Sequence, residues 1–269
     1  MATALGCTAP SAQLARAIGL LARSFDDDLE AAREGDALVG DAALGGRVLL
    51  LAAGMRNLTG SLGSLILNKS RHVSEAAVIE FEASFAYVAW GGGGGEGLSF
   101  NYGPLPSALP SALPSSTTTT DSTSTHSTIY GRGPFTSCVS VTAHSERGAC
   151  TIDERGTRQG LSVQLLTAVG VSPPRQMLRV SFGGEVLEEV PLGITLRTRV
   201  WANVSIGYTA EGLSVGLDGK ALVRALPLYG YLPTAEWQFS LGARAGPFGD
   251  WHRVDNVRIR SGDLLVSGR

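Results

Sequence analysis

Lysine is nearly missing from this chain: of its 22 basic residues only Lys69 and Lys220 are lysine, and the rest are arginine. Against 24 acidic residues they leave a net charge of -2. A nucleic-acid-binding surface carries a strongly basic footprint, so that function class is excluded. Cysteine is scarce too. Cys7, Cys138 and Cys150 are the whole complement, too few for a disulfide-dense scaffold or a Cys-x-x-Cys metal knuckle. Cys138 and Cys150 flank a short polar segment and can pair in an oxidising compartment; two free thiols fit equally well. No apolar run approaches the roughly 18 residues that span a bilayer, so no membrane span is expected. Arg16 and Arg23 break up the N-terminal apolar stretch, which does not read as a signal peptide.

What remains is 269 residues, 43% hydrophobic and 17% charged, long enough to bury a real core. Glycine is enriched, at 35 residues. Leu14, Ile18 and Leu21 have the spacing of one helix face over 11–23, which Ser11 can cap; a disordered leader remnant is the alternative. Beyond Ser24 the signal becomes short strands. Val78–Trp90 alternates with period two: Ile79, Phe81, Ala83, Phe85, Tyr87 and Ala89 form the buried side, and Glu80, Glu82 and Ser84 the wet side. Further strands are expected at 47–53, 63–67, 98–102, 160–167, 176–182, 201–208, 213–217, 221–225, 237–243 and 252–259. Asp218-Gly219 is a hairpin turn signal. A stretch from Pro104 of proline-spaced repeats and then Ser/Thr cannot pack a core. It is either an O-glycosylated loop or a bland insertion. The resulting fold class is all-β, an antiparallel two-sheet jelly-roll sandwich with a short N-terminal helix. Residues 1–23 form an extension, 24–262 the domain, 104–134 the low-complexity interruption and 263–269 a tail.

Catalytic signatures are lacking. There is no G-x-S-x-G elbow. Gly92, Gly94 and Gly97 satisfy G-x-G-x-x-G but lead into a strand, where a dinucleotide site needs a helix N-terminus. Glu80 and Glu82 share the solvent side of a strand, and no third acid completes a Glu-x-Asp-x-x-Glu glucanase pattern. No catalytic residue is assigned and no enzyme is expected. Asn57, Asn68 and Asn203 each begin an N-x-[ST] sequon, three of the chain's five asparagines, which points to an extracellular or cell-surface location. The leader of a secreted protein is then missing from this sequence. Loop aromatics Phe248 and Trp251 suit stacking on a sugar face; Trp251 as a cap on the core fits the same residues.

Several segments together resemble the L-type, legume-lectin-like domains of the concanavalin A-like superfamily. Phe81–Phe85 followed by Glu96–Phe100 is similar to "F-x-x-x-F … D-G-L-x-F". Gly160–Thr167 stands in the place of "G-L-x-V-x-F-D-T". Trp237–Gly246 and Asp250–Asn256 resemble the closing "F-x-x-G-A-x-T-G" and "D-x-H-x-I-D-N". Phe25–Asp28 and Gly40–Ala42 look like the opening strands. The resemblance implies a sugar site in loops at one edge of the sandwich. Glu96 stands where the family has its sugar-binding Asp, Gly94 and Gly95 precede it in the backbone-donor loop, and Phe248, Gly249, Asp250 and Trp251 fall in or beside the final specificity loop. The family's calcium is held by acids around "E-F-D-T". Here Gln164 and Leu166 replace both carboxylates, and 168–175 supplies no Asp, Asn or Glu, so no metal or other cofactor is expected. The expected function is a non-enzymatic carbohydrate-binding module whose partner is a glycan or glycoprotein. The alternatives are a sugar-inactive structural or adhesion sandwich and, third, a glycan hydrolase of the same fold.

Overall fold

A computed structural model describes residues 19–23, 37–40, 42–45, 48–52, 62–67, 77–91, 97–104, 155–167, 176–245 and 250–261. They form fifteen strands and, among the described residues, no helix. The strands are β1 (Gly19–Arg23), β2 (Ala37–Gly40), β3 (Ala43–Gly45), β4 (Val48–Ala52), β5 (Leu62–Leu67), β6 (Phe81–Gly91), β7 (Gly97–Pro104) and β8 (Leu161–Leu166). After them come β9 (Met177–Phe182), β10 (Glu185–Pro191), β11 (Ala202–Thr209), β12 (Gly212–Leu217), β13 (Lys220–Leu226), β14 (Trp237–Arg244) and β15 (Asp250–Ser261).

They assemble into two antiparallel sheets. The 8-stranded sheet runs β13-β12-β11-β6-β15-β4-β3, and β1 also pairs with β15. The 7-stranded sheet runs β10-β9-β8-β7-β14-β5-β2. This is the jelly-roll sandwich that the period-two patterns predict. Of the residues expected inward on β11, Ala202, Val204 and Ile206 are buried and Tyr208 is half-buried, while Asn203 and Ser205 are exposed. The Asp218-Gly219 turn joins β12 to β13 with both residues at positive φ, 50° and 76°, as a type I′ hairpin requires.

The core lies between the sheets and centres on aromatic rings. Tyr102 and Phe239 stack at 4.3 Å between centroids, and Phe81 meets Phe239 edge-on at 5.3 Å. The Tyr102 hydroxyl keeps its hydrogen bonds despite burial. It accepts from the Val78 N–H and donates to the Val78 carbonyl, both at 3.1 Å. Desolvation holds this hydroxyl well above the ordinary phenol range.

Four sequence expectations change. The helix over 11–23 is not found at its C-terminal end: Gly19–Arg23 is β1, paired with Val257–Ser261 of β15. β4 covers only His252–Val254 of that edge, so the rest of β15 offers unpaired backbone groups, and pairing them outweighs a local helical preference. Residues 11–18 lie outside the described residues. Ile79 is not inward; it is 38% exposed, and Val78 is buried in its place at 2%, because β6 begins only at Phe81 and the chain changes phase before it. The wet side of β6 ends early: Ala86 and Val88 are buried on the outward side. Finally, β10 was not anticipated. Its side chains are exposed or half-buried throughout, with Glu185, Glu188 and Glu189 along it, so this edge strand has no apolar alternation to read; charge and its terminal proline suit an unpaired edge.

Phe239→Ala removes the ring at the centre of this cluster. The variant should lose about 3–5 kcal/mol of stability, read as a lowered midpoint in urea unfolding followed by circular dichroism.

Candidate functional site

Backbone pairing brings three loops to one end of the sandwich. Gly97, which opens β7, pairs with Leu166 at the end of β8 and with Arg244 at the end of β14. Gly91, which closes β6, pairs with Asp250 at the start of β15. The strand ends that flank 92–96, 168–175 and 246–249 therefore lie side by side. Gly97 is a glycine for a local reason. Its φ is +134°, and a Cβ there would stand 2.3 Å from the Leu165 carbonyl oxygen, closer than any side chain is tolerated.

Gly94, Gly95, Glu96, Phe248 and Gly249 lie in these connections, outside the described residues; the strand ends that carry them are adjacent. So do Cys138, Cys150, Asn57 and Asn68 lie outside. Asn203 is described and exposed on β11.

Asp250 and Trp251 cannot share one sugar-facing surface, because neighbours on a strand point to opposite faces. Asp250, expected among the sugar contacts, is turned inward and fully buried. Its carboxylate is held by Arg197, at 2.8 Å from both Nη2 and Nε. Arg197 Nη2 also donates to the Gly91 carbonyl at 3.2 Å. One guanidinium thus ties the exit of the first loop to the re-entry of the last. The Asp250 N–H closes that last loop further, donating to the Ala245 carbonyl at 3.3 Å. Arg197 itself sits on the crossing from β10 to β11, which Gln176 anchors: its carbonyl accepts from the Leu192 N–H at 2.8 Å, and its side chain takes the Leu196 N–H and gives to Thr195 Oγ1. No sequence motif marks Arg197; the nearest signal was the family-like Asp at 250 with no partner in view.

Behind the clamp lies a buried aromatic pair. Tyr87 Oη and His252 Nδ1 are 2.8 Å apart, and their rings are parallel to within 1°. Burial holds the Tyr87 hydroxyl far above the phenol range, with the Asp250 charge acting in the same direction. Burial drives His252 down to about 4; the Asp250 charge and the Arg244 backbone oppose this and are outweighed. His252 is therefore a neutral structural ring at neutral pH.

Trp251 is not a core cap. It stands half-buried on the outward face of the 8-stranded sheet, stacked on Trp90 at 5.9 Å with planes 6° apart. Arg253 Cζ lies 4.6 Å from the Trp90 ring centroid and 6.0 Å from that of Trp251.

At the two positions that the resemblance matches to metal-holding acids, the side chains are Gln164 and Leu166. Gln164 is buried and its amide N–H groups are committed to the Arg155 carbonyl at 2.8 Å and Ser162 Oγ at 3.3 Å. Leu166 is buried and apolar. Among the described residues no group of three or more His, Cys, Asp or Glu side chains converges. Calcium takes several oxygen ligands, mostly anionic; Leu166 offers no oxygen and Gln164 only a neutral amide oxygen.

No protein-family profile matches the chain, and no curated protein matches it. Solved structures do. The carbohydrate recognition domain of Emp46p, in a potassium-bound form, superposes with a TM-score of 0.55 at 12% identity, over 89% of this chain and 96% of that one. The exoplasmic/lumenal domain of VIP36, in a Ca2+-bound form, superposes at 0.53 and 14% identity, over 87% of this chain and 85% of that one. The fold is that of an L-type lectin domain. Within the lectin fold, these identities carry architecture and no individual side chain.

Two measurements probe the clamp and the buried histidine. Arg197→Leu strands a buried carboxylate and should cost about 3–5 kcal/mol, whereas Arg197→Leu combined with Asp250→Leu should regain most of that loss in a denaturant series. For His252, the folded value of about 4 lies below the ordinary 6.5. The unfolded chain then binds the proton first as pH falls. Stability should be full above pH 6.5 and decline toward pH 4, by up to ~1.4 kcal/mol per pH unit from this residue. His252→Gln should flatten that decline in unfolding curves taken across the range.

Proposed function

We propose that the protein is a non-enzymatic carbohydrate-binding module of lectin type, with its sugar site at the loop end and no requirement for a metal. The observation that carries this reading is that the strand ends flanking 92–96, 168–175 and 246–249 are paired neighbours at one end of a lectin-like sandwich. In it Glu96 accepts hydrogen bonds from sugar hydroxyls, the backbone of Gly94 and Gly95 donates, and Phe248 with Gly249 supplies an apolar wall. Asp250 takes a different part from the one its position in the motif suggests. Buried and ion-paired, it is tied through Arg197 to the strand end at Gly91, and Trp251 belongs to the opposite face.

The comparison domains support a saccharide as the ligand class. One solved form of the VIP36 domain contains Ca2+ and mannose, with a TM-score of 0.53 to this chain. Its lumenal setting accords with an extracellular or cell-surface place for this protein, as do the sequons, of which Asn203 is displayed on an exposed strand position. Gln164 and Leu166 support independence from calcium, since neither side chain gives a hard cation an anionic oxygen. The same two residues favour a second reading, a sandwich that has lost its sugar and serves as a structural or adhesion domain.

A glycan array on the folded protein, run with and without a chelator, separates these readings. Saturable binding that survives the chelator and drops at least about tenfold in Glu96→Ala, the scale of a lost hydrogen bond to a charged group, is the expected result. Binding lost to the chelator would overturn the metal-free site. A folded sample silent on every glycan would leave the structural reading.

A further inference from the structure

We propose that the outward face of the 8-stranded sheet carries a second saccharide site, selective for acidic sugars, built from Trp90, Trp251 and Arg253. It lies across the sandwich core from the 7-stranded sheet and does not depend on the loop-end reading.

The aromatic part is a cross-strand pair. Trp90 and Trp251 are register partners on β6 and β15, and their parallel rings are half-buried. Trp201, just before β11, is 39% exposed at the same end of this sheet, one residue beyond the Ala202–Tyr87 pair. Core packing does not explain these rings. Tyr87, Ala89, His252 and Val254 of the same strands point inward, so Trp90 and Trp251 point out. Flat aromatic faces held at the surface suit the apolar faces of pyranose rings, and tryptophan contributes the largest such face.

The charge decides which sugar. Arg253 is held over both rings, and its Nε is buried with no hydrogen-bond partner. Opposite it across the ladder stands Val88, and opposite Arg258 stands Ser84; neither is an acid. Arg260 lies across from Glu82. The acid of this face that is nearest in sequence to Arg253, Asp255, is engaged by the Asn256 N–H at 2.7 Å and by Asn256 Nδ2 at 3.3 Å. The outward side of β15 thus presents Arg253, Arg258 and Arg260 along one strand. Arg253 and Arg258 are about 15 Å apart at the strand rise, a span that a short oligosaccharide covers. A guanidinium stacked on indole keeps its remaining N–H groups directed outward and pairs well with a planar carboxylate. A neutral sugar would use the rings and leave this charge unanswered. A uronate-bearing chain uses both.

The test is a titration of the whole protein with tetragalacturonate, and in parallel with its methyl ester, followed by tryptophan fluorescence and calorimetry. The ester keeps shape and hydroxyls and removes the charge. Saturable quenching by the acid is expected, with the ester at least about tenfold weaker, the scale of a charge-assisted hydrogen bond. Arg253→Gln should weaken the acid to the level of the ester and leave the ester unchanged. Arg258→Gln changes only an exposed side chain and should still weaken the acid several-fold if Arg253→Gln does not fold. Equal binding of acid and ester, no quenching, or wild-type affinity in both variants would overturn the proposal. So would sedimentation showing a dimer that Arg258→Glu dissociates, since the face would then belong to a second copy. A protein that binds tetragalacturonate but no array glycan would leave this site standing and remove the loop-end one.

Discussion

A single backbone ladder, β6 against β15, organises this molecule. Its register runs from Gly91 opposite Asp250 to Phe81 opposite Ser261, with one irregularity between Asp255 and Arg258. Everything else is placed relative to it. Its inward side supplies Phe81, Phe85 and Tyr87 to the core. Its outward side sets Trp90 beside Trp251. Its upper end fixes where two of the three loops depart. Because side chains alternate along a strand, a slip of one residue would exchange the core face for the wet face along the strand that slipped. The Arg197–Asp250 clamp guards that end of the register. An ion pair so deeply buried contributes little net stability; its geometry, shared with the Gly91 carbonyl, instead sets which backbone atoms meet.

The strands with one dry and one wet side were readable from sequence. β11 and β12 carry most of their apolar residues at the anticipated positions, since burial of one face imposes period two. The Asp218-Gly219 turn was readable because only certain residues accept positive φ. β10 and β1 were not. An edge strand of exposed glutamates has no periodic signature, and β1 forms on a stretch of helical spacing because β15 offers it unpaired backbone groups. Tertiary pairing of that kind leaves no trace in a local window.

The candidate site was legible to a smaller degree. The order of motifs located the loops, and the pairing of Gly97 with Leu166 and Arg244 brings their ends together. The roles within the motif closing on Asp250 and Trp251 divided differently from expectation. Sequence proximity grouped them, yet alternation sends one carboxylate into the core and one indole to the opposite surface. Arg197 was invisible for the complementary reason: it is fifty-three positions from its carboxylate and belongs to no pattern. Gln164 was noticed as a missing acid. Its amide is in fact employed, fastening the chain at Arg155 as it returns to the sheet.

That return has a consequence for how the chain accommodates its low-complexity segment. β7 ends at Pro104, and β8, its hydrogen-bonded neighbour, begins at Leu161. The ends of the intervening stretch are therefore held close together whatever its length. The Thr157 N–H on Asn101 Oδ1 at 3.0 Å and the Gln164 amide on the Arg155 carbonyl secure the re-entry from the strand side. The entropy of closing a chain segment between fixed ends grows only with the logarithm of its length, so a tenfold change in length shifts it by about 2 kcal/mol. The sandwich is thus nearly indifferent to what occupies the gap. Such a junction lets a lineage lengthen, shorten or replace that segment while the two strands that flank it stay in register.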